Sequence, residues 1–162
     1  MSEVAEMLEI SDEETENEKL EKFLVFSIQG KYYSFPSRLI GEISLYDTVY
    51  PLPLVPPYVL GVVNRYSVPY ALFDIGVLFH KKPSARNKIL IFKDEVDRIA
   101  FLADDIIGIA DINPESVLII ERNNDTGDLT EAIAASFNWN ENDVFILDIQ
   151  RILKRVSQET EQ

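Results

Sequence analysis

The sequence predicts an all-β fold of small barrels or a sandwich, closed by one C-terminal helix. Three observations predict it. Short runs rich in aliphatic and aromatic residues recur from Phe23 to Leu147, the signature of strands. Turn residues interrupt them at close spacing, which favours barrels or sandwiches over a parallel sheet. A clear helical period appears only at the end, with Ile149, Ile152, Leu153 and Val156 at i, i+3, i+4 and i+7.

The elements follow in order. Phe23–Gln29 (FLVFSIQ) is a strand, Gly30-Lys31 a turn signal and Tyr32–Phe35 the returning strand of a hairpin closed by Pro36. Arg38–Leu45 (RLIGEISL) suits either a strand or a helical turn. Tyr58–Asn64 and Val68–Phe73 are two strands joined by Arg65-Tyr66-Ser67. Asp74 suits the N-cap of a short helical turn to Phe79. The polar linker Lys81–Asn87 (KKPSARN) separates these elements from a restart of the pattern. Lys88–Phe92, Arg98–Ala103, Asp105–Ala110, Ser116–Ile120, Ile133–Phe137 and Val144–Leu147 read as strands. A turn at Asp94-Glu95 and a polar loop at Glu121–Asp128 lie among them. Asp148 caps the final helix, and Arg151, Lys154 and Arg155 are expected in its later turns, where cations suit the helix dipole.

Between the early strands lies Val49–Ile75, VYPLPLVPPYVLGVVNRYSVPYALFDI. Pro51, Pro53, Pro56 and Pro57 crowd its first residues. Each fixes its own φ, removes a backbone donor and pushes its predecessor towards extended backbone. A stiff, apolar segment without catalytic residues suits a docking surface better than an active site.

Composition narrows the classes. The 162 residues suffice for one domain with a real core or two very small subdomains. No run reaches the roughly 18 apolar residues of a membrane-spanning helix, and no basic-then-apolar leader opens the chain. With no cysteine there is neither a disulfide framework nor thiolate chemistry. A cytoplasmic protein is the simplest expectation. The net charge is −13, of which residues 1–21 carry −8, from nine acids against Lys19. That composition predicts a disordered acidic tail over residues 1–21. Overall acidity argues against nucleic-acid binding, which needs a basic stripe.

Candidate chemical sites are weak. His80 is the only histidine, and no nucleophile motif accompanies it. Zinc would need several His or Cys ligands. Asn123–Asp128 (NNDTGD) resembles a calcium loop in composition, but counted from Asn123 its glycine falls at position 5 and Ala134 at position 12, where an EF-hand needs Gly at 6 and Glu at 12. Asp104 and Asp105 are neighbours, so strand geometry sends them to opposite faces, and a local turn is expected. Trp139 is expected to pack over a barrel end. No catalytic residue, metal or cofactor is assigned.

Four blocks then carry a resemblance running from Phe23 to Arg155. Phe23–Pro36 (FLVFSIQGKYYSFP) opens it, and Ile40–Ile43 (IGEI) is similar to V-x-E-I. Pro51–Asn64 (PLPLVPPYVLGVVN) is similar to P-L-P-x-x-P-x-x-x-x-G-V-x-N, and Val144–Leu153 (VFILDIQRIL) to L-L-D-x-x-x-L. Their order and spacing resemble the CheW-like domain of bacterial chemotaxis coupling proteins. The resemblance implies two small five-stranded SH3-like β-barrels side by side, over residues 22–156, with the restart near 81–87 between them and a C-terminal tail at 157–162. It implies a non-catalytic adaptor. Its partners would be the regulatory domain of the histidine kinase CheA and the cytoplasmic tip of a methyl-accepting chemoreceptor, with no cofactor and no membrane insertion.

The same resemblance implies partner contacts at Ile40, Glu42 and Ile43, at Pro51, Pro53, Pro56 and Gly61, and at Asn64, Arg65 and Tyr66. The chain departs from the usual N-L-R-G: Asn64-Arg65-Tyr66-Ser67 puts Tyr66 where the family has arginine and Ser67 where it has glycine. Ala71 stands at a usual proline and Ala100 at a usual glycine. Two alternatives stay open. A divergent regulator would bind the kinase but not standard receptors; a small β-barrel ligand binder or enzyme would bind neither.

Overall fold

The computed structural model describes residues 19–46, 49–79, 82–85, 87–93, 97–121 and 129–160. Most of the acidic tail, His80, the Asp94-Glu95 turn and the polar loop 122–128 lie outside the described residues. The chain forms β1 (Glu21–Ile28), β2 (Lys31–Pro36), β3 (Ile40–Leu45), β4 (Val59–Arg65), β5 (Val68–Phe73), α1 (Ile75–Leu78), β6 (Lys88–Phe92), β7 (Ile99–Ala103), β8 (Asp105–Ile112), β9 (Leu118–Ile119), β10 (Ile133–Trp139), β11 (Asn142–Leu147) and α2 (Ile149–Thr160).

Arg38–Leu45 supplies both of its possible structures. A 3-10 turn covers Ser37–Leu39, and β3 follows it. Asp74 caps α1 by accepting from the Val77 amide at 3.3 Å. Glu21, assigned to the tail, opens β1 opposite Ile112.

The strands build two sheets side by side, of six and five strands. One runs β8-β1-β2-β11-β10-β9, and the other β3-β6-β7-β5-β4. This corrects the expected partition at 81–87. The opening hairpin β1–β2 belongs with the last strands, because β2 pairs in parallel with β11 and β1 pairs with β8. The linker falls inside the five-stranded sheet, between β5 and β6.

Three apolar clusters explain this arrangement. Phe23, Val25, Ala110, Phe137 and Val144 fill the six-stranded sheet's own interior. Val63, Tyr70, Leu72, Ile89, Ala100 and Leu102 fill the five-stranded one. The largest cluster joins both sheets, with Leu24, Phe26 and Phe35 meeting Phe73, Phe92 and Phe101. Alternate residues of β1 and β7 therefore serve different cores, which is why both strands are almost wholly buried.

Acidic side chains stitch the junction. Asp104 accepts from the Gln29 amide at 2.8 Å, the Ser84 hydroxyl at 2.9 Å and the Ala85 amide at 2.6 Å. Its contacts are long-range, while Asp105 makes the local bond expected of one member of the pair, accepting from the Ile106 amide. Trp139 packs as expected, its ring over Gly108 of β8.

The C-terminal helix corrects two expectations. It runs to Thr160, so residues 157–160 are helix and not tail. Arg151 therefore lies in the first turn, where the dipole gives a cation nothing. It is held instead by Asp148 at 3.6 Å and by the Ile133 carbonyl, to which it donates at 2.8 Å. Arg155 reaches buried Glu131 at 3.9 Å.

Candidate docking groove

β3 and β8 are outer strands of different sheets. The twist and packing of the sheets bring them together along one groove of about 300 Å³, lined by Leu24, Ser37, Ile40, Gly41, Glu42, Ile43 and Ile109. Ile43 is 43% exposed and Ile109 50%. The floor is aliphatic, and Glu42 supplies the charge among its lining residues. A groove of this chemistry can take an apolar ridge, such as one face of a helix.

β3 carries a bulge near its start. Ile40 pairs with Phe92 and Glu42 with Ile91, so Gly41 is the extra residue. The bulge turns consecutive β3 residues, Ile40 to Ile43, towards the same hollow. Across the open side of the five-stranded sheet, the end of β4 reaches back to this bulge. Arg65 Nε lies 2.9 Å from a Glu42 carboxylate oxygen. The approach lies off the N–H axis, so it is a charge contact rather than an aligned hydrogen bond. Arg65 Nη2 also donates to the Gly41 carbonyl at a long 3.5 Å. A Cβ on residue 41 would stand 2.8 Å from Arg65 Nη1, so glycine leaves the guanidinium its seat. The Tyr66 ring lies 5.6 Å from Arg65 Cζ, at cation–π distance, and is 87% exposed.

The proline-rich segment forms a different surface. Pro51 and Pro53 are exposed and Pro56 half-buried, with Leu52 and Leu54 projecting beside them. Gly61 anchors this rim. Its φ is +142°, and a Cβ there would meet the Tyr50 carbonyl and Pro51 backbone. That close approach lets Tyr50 and Val62 exchange hydrogen bonds of 2.9 and 2.8 Å.

Of the residues expected from sequence, Ile40, Glu42, Ile43 and Arg65 are therefore brought together, with Tyr66 stacked beside them. Pro51, Pro53, Pro56 and Gly61 form the separate rim. Asn64 is exposed on β4, paired with Pro69. Sequence reasoning missed Leu24, Ser37, Gly41 and Ile109. Ile109 carried a usable signal. Asp105, Ile107, Ile109 and Asp111 alternate on β8, and two aspartates mark as exposed the face that carries those isoleucines.

Buried Tyr33, whose phenol desolvation pushes above its ordinary 10.0, belongs to the central core and is not a groove residue. Among the described residues no helix is long and apolar enough to cross a membrane.

Comparison with known proteins agrees with this architecture. The model of the CheW-like domain matches residues 22–157. The scaffolding protein TtCheW from Thermoanaerobacter tengcongensis has a similar structure, with a TM-score of 0.71 over 80% of this chain and 89% of that one, at 16% identity. That likeness is one of fold. No curated protein matches the sequence.

Proposed function

The chain belongs to the CheW-like domain family, a family of non-catalytic scaffolds in chemotaxis signalling, and from that premise we propose that it is a cytoplasmic adaptor coupling a chemoreceptor's cytoplasmic tip to the regulatory domain of the kinase CheA. The observation that carries the reading is the groove between β3 and β8, where Ile40, Ile43 and Ile109 from two sheets form one apolar floor. A receptor tip is a helical coiled coil, and a helix lays its apolar ridge into such a groove. The rim from Pro51 to Pro56 is a stiff second surface suited to the kinase. Contacts of this size fall near the low end of the roughly 1,200–2,000 Å² typical of specific interfaces.

One observation favours the divergent-regulator alternative. Tyr66 occupies the usual arginine position, and the neighbouring cation, Arg65, already faces Glu42. In that reading kinase binding survives and binding to a standard receptor tip does not.

The experiment is calorimetric titration of the full chain with a purified chemoreceptor-tip fragment and, separately, with the CheA regulatory domain. Ile43→Asp and Ile109→Asp should each weaken the receptor tip at least about tenfold, because a carboxylate would be buried against apolar surface. Kinase affinity should stay within about twofold, a difference of roughly 0.4 kcal/mol. Kinase binding alone selects the divergent regulator. Binding of neither partner removes the adaptor reading.

A further inference from the structure

The groove between β3 and β8 opens beside the point where the acidic N-terminal segment joins the fold, and the inference rests on that groove being the receptor side. Leu24, in its lining, stands three positions after Glu21, the first residue of β1. At about 3.3 Å per strand residue, that is roughly 10 Å from the start of the strand. Residues 1–18 hold eight acids and no base. Their apolar residues gather early, at Val4, Met7, Leu8 and Ile10. At about 100° per helical residue these four fall within one half of a helix surface, and Glu6, Glu9 and Glu13 within the other. Ser2 is an N-cap type of residue, and Glu3 suits a helix's first turn. Three exposed cations flank the near end of the groove. Lys22 shares a strand face with Leu24. Arg38 follows Ser37 of the lining, and the Lys93 amide donates to the Leu39 carbonyl at 2.9 Å. Lys22 lies 3.8 Å from Asp111 and Arg38 4.0 Å from Glu21, and such exposed pairs leave both cations open to further carboxylates.

We propose that residues 3–10 of the acidic segment fold back as a short amphipathic helix onto this groove, with Val4, Met7 and Leu8 against Ile40, Ile43 and Ile109, and so compete with the receptor tip from within the chain. Reach permits it. Ten residues, 11–20, join the docked stretch to β1, and a flexible chain of that length spans about 17 Å on average, more than the gap it has to cross. Charge favours it. Asp12, Glu13, Glu14, Glu16 and Glu18 lie in or beside this connection, and they pass Lys22, Arg38 and Lys93 on the way. A helix this short is marginal alone in water, so it forms only as it docks. The contact is intramolecular, and a short linker holds the segment at an effective concentration in the millimolar range, which lets a weak contact fill the groove for much of the time.

The test uses the full chain and needs no partner at first. The protein has no cysteine, so Ser2→Cys takes a single nitroxide spin label. In isoleucine-methyl NMR spectra the label should broaden Ile43 and Ile109 selectively. Leu8→Asp puts a carboxylate on the docking face without touching the folded domain, and it should remove most of that broadening. Raising NaCl from about 50 to about 500 mM shortens the screening length from roughly 14 to 4 Å and should reduce it in part. The second measurement is affinity for the same chemoreceptor-tip fragment. Leu8→Asp should bind the tip about three- to fivefold more tightly than wild type, the gain expected where the segment leaves the groove free about a quarter of the time.

Broadening equal in wild type and Leu8→Asp overturns the fold-back, and the receptor reading stands if the tip still binds. Broadening centred on Ile119 and Ile146, which line a separate hollow near Glu21, overturns it as well. So does broadening that persists when the labelled chain is mixed with a second, isotope-enriched copy, because the segment then occupies a neighbour's groove. Selective broadening with tip affinity unchanged by Leu8→Asp overturns the competition. Selective broadening in a chain that does not bind the tip upholds the fold-back contact and overturns the receptor reading alone.

Discussion

Ser67 and Glu141 hold backbone conformations that their side chains oppose. Three hairpins in this chain turn through two residues with positive φ: Gln29-Gly30 at 53° and 78°, Tyr66-Ser67 at 51° and 66°, and Asn140-Glu141 at 51° and 67°. Positive φ at both positions is the type I′ geometry that matches the twist of flanking strands. Glycine adopts it freely and asparagine with little difficulty, whereas other residues bear about 1–2 kcal/mol of steric cost. Only the first hairpin has glycine at its second position. Ser67→Gly and Glu141→Gly should therefore each stabilise the fold by about 0.5–1 kcal/mol, after allowing for the looser unfolded chain. In thermal unfolding that corresponds to a rise of roughly 1–4 °C. A lower melting temperature for either variant would contradict the account. Ser67 is legible in the sequence as a departure from the family's glycine. Its strain is not legible until the hairpin is seen to turn at Tyr66-Ser67, with Arg65 still in strand.

At the scale of the element, α2 shows how an end is fixed. Asp148 accepts from the amides of Gln150 at 2.9 Å and Arg151 at 3.4 Å, and its other carboxylate oxygen faces the Arg151 guanidinium. One side chain therefore satisfies orphan amides at the helix start and orients a cation onto the Ile133 carbonyl of β10. Asp148→Ala should cost about 1–2 kcal/mol, the upper part of the range for a lost N-cap. Asp148→Asn, which keeps an acceptor, should recover about half of that loss. Urea unfolding of the three proteins measures both values, and a loss equal in the two variants would assign the effect to the ion pair instead of the cap. The cap and the apolar helical stripe were legible because both are local signals. The helix's far end was not, because Ser157–Thr160 continue it without an apolar residue to mark them.

At the scale of the whole molecule, the strands were legible one by one and their partners were not. Alternation and turn residues act over a few positions, so every strand except β3, whose segment suits a helical turn as well, can be read from the chain. Sheet membership depends on which buried faces meet, and β2 finds β11 across most of the sequence. The groove shares that limit: Glu42 and Ile43 were signalled by the family motif, while Ile109 and the Glu42–Arg65 contact follow only from the sheets' placement. That placement predicts how the molecule unfolds. Phe35 of β2 is fully buried, with ring centroids 5.6 Å from Phe26 in its own sheet and 4.8 and 6.0 Å from Phe92 and Phe101 in the other. It is a shared support, so the sheets should not melt separately. Phe35→Ala should destabilise the chain by about 3–5 kcal/mol. The loss should appear equally in two probes of denaturant unfolding. Trp139, the only tryptophan, reports on the six-stranded sheet through its fluorescence. Hydrogen exchange of the Val63 and Leu72 amides reports on the five-stranded sheet. Coincident transitions shifted by the same amount would mark one cooperative unit. If Trp139 responded to Phe35→Ala while the Val63 and Leu72 amides kept their protection, the two sheets would be independent units, and the central cluster would be a contact between them and not the core they share.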